Sequence, residues 1–210
     1  MKYEIYIFGS ITRGEVSSTS DADILVIKDD SETDSFPPSW SVYSEKTIEA
    51  YFADGRLFAW HLHLEAVRVY PRSGSGFIAN LGEPAPYTSA AKDLADLRFI
   101  LENSVLELQN STPSPIYELG LAYTAIRDIA MAASWSMLAK PSFSRYAPYE
   151  IPVRCPLILS YYETAMLARH ASTRGTAEPR EYDLAAKHLK ATPILEWVET
   201  VRRKTCQIHS

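Results

Sequence analysis

Cysteine is scarce in this 210-residue chain: Cys155 and Cys206 are the only two. They form no CxxC pair and no zinc-ligand spacing, and two thiols cannot build a disulfide framework. Long apolar runs are missing as well. The longest uncharged stretch, Ile129–Ala139, has 11 residues, against about 20 for a membrane helix. No long basic run occurs and the formal net charge is -5, which removes the basis for strong non-specific nucleic-acid binding. The start, Met1-Lys2-Tyr3-Glu4, lacks a signal-peptide layout. No internal repeat is evident. The expectation is a cytoplasmic protein with neither a membrane nor a long nucleic acid as partner. What remains is 46% hydrophobic and 22% charged, an ordinary globular composition for one domain or two small ones.

The character of the chain changes near residue 85. Before it, apolar runs are short and rich in β-branched and aromatic residues. Ile5–Phe8 and Ile24–Ile27 predict buried strands, and Trp40–Tyr43 a weaker third. Asp29–Pro38 is polar with two prolines and reads as a loop. Glu45–Ala53 predicts a short helix ending at Asp54-Gly55. Glu65–Tyr70 predicts a strand stopped by Pro71. Residues 72–88, with clustered glycine and proline, read as a linker.

Beyond it the period is helical. Leu94, Leu97, Leu101, Val105 and Leu108 mark one face, with Ser89 as a candidate N-cap. Ile116, Leu119, Tyr123, Ile126, Ala130, Ala133 and Met137 mark another, opened by Ser114-Pro115. Further helices are expected over Pro156–Ser172, closed by Gly175, over Asp183–Lys190, and from Pro193 onward. Short loops would make these a bundle. The fold class is α+β, a small mixed sheet flanked by helices and followed by a helical bundle, with domains at 1–85 and 86–210.

The chemistry sits at the front. Phe8-Gly9-Ser10 follows a strand, and ten residues later comes Asp21-Ala22-Asp23, opening the next strand. Gly9 lets backbone N–H groups approach a ligand, and Ser10 adds a hydroxyl. A glycine–serine turn opening a short helix suits phosphate oxygens. Residues 11–20 then make a turn or short helix containing Arg13 and Gly14. At i and i+2 on a strand, Asp21 and Asp23 share one face roughly 7 Å apart. Two carboxylates so placed suit a hard cation, Mg²⁺ or Mn²⁺, shared with substrate phosphates.

Gly9-Ser10…Asp21-Ala22-Asp23 resembles the signature of the DNA polymerase β-like nucleotidyltransferase superfamily. The wider stretch, Phe8 to Glu15 with Ser20 to Val26, is similar to its minimal members. These include the aminoglycoside nucleotidyltransferases and the antitoxin-type enzymes paired with HEPN proteins. The resemblance implies transfer of a nucleoside monophosphate from ATP or another NTP to an acceptor, with loss of pyrophosphate. It also implies a helical second domain. Carried onto this chain, Asp21 and Asp23 would hold metal, and Gly9, Ser10, Arg13 and Ser20 would hold the nucleotide. The family's usual third carboxylate falls at Ser41, which can neither ligate metal nor take a proton well at neutral pH. Glu65 is the candidate substitute, with Glu45 and Glu49 as alternatives.

Several residues carry plainer readings beside these. Arg13 could equally be a solvated helix residue, and Ser20 a turn cap. His61 and His63 beside Trp60 lack a third ligand and read as packing residues. Lys187 and His188 read as a solvated helix face, and Tyr161, Tyr162 and Trp197 as bundle core. The HEPN motif, Arg then His after four to six residues, fits neither Arg180 with His188 nor Arg169 with His170. The expected acceptor is a small-molecule hydroxyl, a protein side chain or an RNA end, entering between sheet and bundle. A homodimer is compatible with the sequence. The competing expectation is a catalytically weak nucleotide-binding module of a toxin–antitoxin or phage-defence system.

Overall fold

Alternation along Tyr3–Phe8 (β1) sends Tyr6 and Phe8 to one face and Ile5 and Ile7 to the other. In the computed structural model, which describes residues 3–15, 22–71, 74–174 and 181–208, β1 pairs antiparallel with Asp23–Lys28 (β2) and Val67–Tyr70 (β4). Ser41–Ser44 (β3) lies parallel to β2, giving the order β3-β2-β1-β4. Register puts Tyr6 beside Leu25 and Phe8 beside Asp23. Leu25, Ile27, Tyr6 and Phe8 thus form one apolar face, joined by Ile48 and Phe52 of Glu45–Ala53 (α1) and Ala59 and Leu62 of Leu57–Glu65 (α2). Burying each large aliphatic chain here is worth roughly 1.5–3 kcal/mol. Ser44 caps α1, its hydroxyl accepting from the Thr47 N–H at 3.2 Å.

The expected strand at Glu65–Tyr70 is shorter than read: Glu65 is the last residue of α2, and β4 begins at Val67. The expected linker also contains a helix, Phe77–Leu81 (α3). Its first N–H groups are taken by the sheet, Phe77 donating to Glu4 Oε2 at 2.8 Å and Ile78 to the Tyr6 hydroxyl at 3.3 Å. The Tyr6 hydroxyl donates in turn to Glu4, and burial pushes its pKa well above the ordinary range. Ile78 joins the core. Further along, Ala85 receives the Trp60 indole N–H at 2.9 Å and donates to the Phe52 carbonyl at 2.9 Å. The chain divides into two compact units, residues 1–89 and 90–210.

In the second unit Pro115–Met137 (α5) is central, packing against Ala90–Gln109 (α4), Ala147–Glu150 (α6), Leu159–Arg174 (α7), Tyr182–Ala191 (α8) and Ile194–Ile208 (α9). Its buried residues run round the helix and are often small: Ala122, Ala125, Ala130, Ala132 and Ala133. Gly120 lies where α7 comes closest; a Cβ there would sit 2.8 Å from the Arg169 Cα. The expected faces of α4 and α5 are the buried ones, although Leu97, Ile116 and Met137 are only partly covered. Ser114 sits at the N-cap position without a side-chain cap bond.

The third bundle helix starts at Leu159, not Pro156. Residues 155–157 are held instead to α6: the Cys155 N–H donates to Pro148 O and the Tyr149 hydroxyl to Leu157 O, both at 2.8 Å. Gly175 lies outside the described residues. Tyr162 and Trp197 are core, as the pattern implied. Tyr161 is not: partly exposed, it stacks on His188 with ring centroids 3.8 Å apart, so His188 is not simply solvated.

Candidate active site

Strand β1 ends at Phe8, and the chain turns at once into a 3₁₀ turn, Gly9–Ile11. Thr12 and Arg13 both donate backbone N–H groups to Gly9 O, the Thr12 hydroxyl reaches the same oxygen at 2.8 Å, and Glu15 N–H closes on Ser10 O at 2.9 Å. The turn is therefore stiff before any ligand arrives. Gly9 has φ +76°, and a Cβ on it would meet Asp23 Oδ2 at 2.2 Å. The space a side chain would fill is occupied by the Asp23 carboxylate. Asp23 itself is exposed at the start of β2, and Ser10 is buried at 8% exposure. Turn and carboxylate thus meet at one end of the two central strands.

Ser41 opens β3 opposite Leu25. It shares the face of Asp23 but stands one side-chain repeat further along, roughly 7 Å. Glu45 follows Ser44, the partner of Lys28 at the far end of β2. Burial and the Asp29, Glu49 and Glu4 carboxylates raise its pKa. Glu45 is thus removed from the Gly9 turn by the length of the sheet, and Glu49, one helical turn on, belongs with it. Ser20 and Asp21 lie outside the described residues.

Arg13 does not point freely to solvent. Its Nη1 contacts Glu65 Oε2 at 2.5 Å, and Nη2 and Nε lie 3.2 and 3.1 Å from the Glu15 carboxylate. Burial works against its charge, but the two carboxylates win and raise its pKa. Glu65 Oε2 also meets His61 Nε2 at 3.0 Å. For Glu65 burial would raise the pKa, yet His61 and Arg13 together bring it below the ordinary value. His61 packs edge-on against Phe8, centroids 5.3 Å apart. His63 points elsewhere, exposed and edge-on to Trp60, so the two histidines do not act as a pair. Sequence reasoning missed Glu15 and the partnership of His61 with Glu65. The i, i+4 spacing on a helix was the available signal for the second.

The oxygen donors of Asp23 fit a hard divalent cation. Among the described residues no group of three His, Cys, Asp or Glu side chains converges as a metal cluster. No helix is long and apolar enough to cross a membrane, again among the described residues.

Residues 2–73 match the family model described as a nucleotidyltransferase domain. The match covers about a third of the chain and spans both the Gly9 turn and Asp23. That stretch is a nucleotidyltransferase domain of the polymerase β-like superfamily, and its α+β fold, a small mixed sheet with helices on one face, agrees with it. Comparison with curated proteins found no match.

Proposed function

We propose that this protein is a metal-dependent nucleotidyltransferase that moves a nucleoside monophosphate from an NTP, ATP first among them, to a hydroxyl acceptor on a small molecule, a protein or an RNA end. The observation that carries the reading is the Asp23 carboxylate lying in the space left by the missing Cβ of Gly9. It joins an acidic, cation-suited group to a backbone turn suited to phosphate, within the matched domain.

In this reading Asp21 and Asp23 hold Mg²⁺ or Mn²⁺, while Gly9, Ser10, Arg13 and Ser20 hold the triphosphate. The acceptor oxygen attacks the α-phosphorus, the α–β phosphoanhydride bond breaks and pyrophosphate leaves. The acceptor's proton passes to a carboxylate of the site or to water. The bound cation would neutralise charge developing on the phosphate oxygens. The chain's own residues orient the triphosphate so that attack is in line.

The test is pyrophosphate release from each of four NTPs with Mg²⁺ or Mn²⁺, in the presence of cell extract as a source of acceptors. Asp21→Asn and Asp23→Asn should each lower the rate on the order of 10³-fold, about 4 kcal/mol in the barrier, with the fold intact. Full activity in both variants would refute the site. A second reading, nucleotide binding without turnover in a regulatory module of a toxin–antitoxin or phage-defence system, is favoured by Ser41 at the position of the usual third acid. Metal-dependent NTP binding with no pyrophosphate release would select it.

A further inference from the structure

Arg13 stands four residues after Gly9, at the far end of the same turn, and every edge of its guanidinium faces a carboxylate. Nη1 lies 2.5 Å from Glu65 Oε2, Nη2 3.2 Å from Glu15 Oε2 and Nε 3.1 Å from Glu15 Oε1. Glu65 is the last residue of α2. Its Oε2 is shared with His61 Nε2 at 3.0 Å, and the His61 ring rests edge-on against Phe8, the residue before Gly9. Glu65, His61 and Arg13 are 13%, 17% and 20% exposed at the side chain, so solvent and salt screen these contacts less than those of a surface pair. The end of α2 therefore meets the turn twice, at its entry through Phe8 and at its exit through Arg13.

The backbone bonds from Thr12, Arg13 and Glu15 to Gly9 and Ser10 fix the shape of the turn. They leave its tilt against the sheet undetermined. At the entry that tilt is set by β1, whose Phe8 pairs with Asp23. At the exit Arg13 supplies a tie to another element. Since the Asp23 carboxylate fills the space beside Gly9, a change of tilt moves the turn's N–H groups against that carboxylate.

We propose that Arg13 and Glu65 form a brace that fixes the Gly9 turn on α2 and so sets its phosphate-facing backbone against Asp23. Both are positioning residues. The inference rests on the transferase reading and deepens it: Arg13 serves the triphosphate through the turn and meets no phosphate itself. Glu65 has this task in place of that of a third metal ligand, because its Oε2 is committed to Arg13 and His61. A braced turn binds its ligand more tightly because the ligand need not order it.

The experiment measures amide hydrogen exchange in the full-length protein, and NTP binding by titration of each of the four NTPs with Mg²⁺. Wild type, Arg13→Gln, Glu65→Gln and the double variant are compared. In either single variant the Thr12, Arg13 and Glu15 amides should exchange about tenfold faster, while the amides of β1 and β2 keep wild-type rates. The double variant should be no faster than the singles within about twofold. Both single variants should weaken NTP binding by a similar factor, about tenfold, although one removes a positive charge and the other a negative one. Glu65→Asp, which draws the charge back by one methylene, should give the same pattern at smaller amplitude, and serves if Glu65→Gln does not fold. Wild-type exchange in the turn, with binding weakened by Arg13→Gln alone, would make Arg13 a direct phosphate contact and overturn the brace. Faster exchange throughout β1 and β2 would reduce the pair to a support of the whole fold and overturn it as well. No NTP binding by wild type would instead bring down the transferase reading, and the exchange rates would still decide whether the pair braces the turn.

Discussion

At Gly9 the backbone needs a left-handed residue, φ +76°, and the neighbouring strand needs the empty space beside it for Asp23 Oδ2. Alanine fails on both counts. The conformational strain alone is about 1–2 kcal/mol, which for a chain of this length lowers the melting temperature by roughly 2–8 °C. Displacing Asp23 from its seat adds a functional loss out of proportion to that. Gly9→Ala should therefore melt a few degrees early while losing pyrophosphate release as severely as Asp23→Asn. Thermal unfolding and the NTP assay on the same preparation check the two effects together. A variant that melts early but keeps its rate would show that the Asp23 seat is irrelevant to the chemistry. Gly9 and Asp23 could be paired from sequence because the strand–turn–strand pattern constrains both ends of a short segment. Glu65 and Arg13 are 52 residues apart, and no local periodicity encodes an ion pair of that separation. Only the return of α2 towards the end of β1 creates it.

The same limit holds for whole elements. The helices α4 and α5 were legible because their apolar residues repeat at three and four. In contrast α2, Leu57-Phe58-Ala59-Trp60 with Leu62 and Leu64, is apolar on most sides and shows no period, so it reads as neither helix nor strand. The short α3 and α6 span five and four residues. At that length hydrogen bonds from elsewhere in the fold, such as those of Glu4 and Tyr6 to α3, decide the structure. Small residues within α5 set how near its neighbours come. At Gly120 an added methyl would meet backbone atoms of Arg169 at 2.8–2.9 Å, and a helix backbone cannot rotate away as a side chain can. Alanine gains about 1 kcal/mol of helix propensity, while overpacking of this kind costs about 1–3 kcal/mol. Gly120→Ala is expected to be net destabilising, by up to about 2 kcal/mol, measured by urea unfolding. A stabilised variant would mean that α5 and α7 separate at little cost.

For the molecule as a whole, the division into two units separates the matched segment from the helical bulk. The nucleotidyltransferase match, the Gly9 turn and Asp23 all fall within residues 1–89. Residues 90–210 carry a core of their own around α5, with Leu94, Leu101, Leu119, Ile126, Ile129, Tyr162 and Leu189 almost wholly buried. Three polar side chains there bond within the unit: the Tyr162 hydroxyl donates to Arg145 O at 2.5 Å, the Trp197 indole N–H to Val153 O at 2.8 Å, and Lys190 Nζ to Leu108 O at 3.3 Å. A segment of this size lies near the commonest domain length of about 100–150 residues, and a core of its own favours independent folding. Expressed alone, residues 90–210 should give a strongly helical circular-dichroism spectrum and a single cooperative thermal transition. They should also show no metal-dependent NTP binding under conditions where the full chain binds. Both halves of that expectation are informative. A non-cooperative melt would make the bundle dependent on the first unit for its fold. Retained NTP binding would move the nucleotide site out of the Gly9 turn altogether.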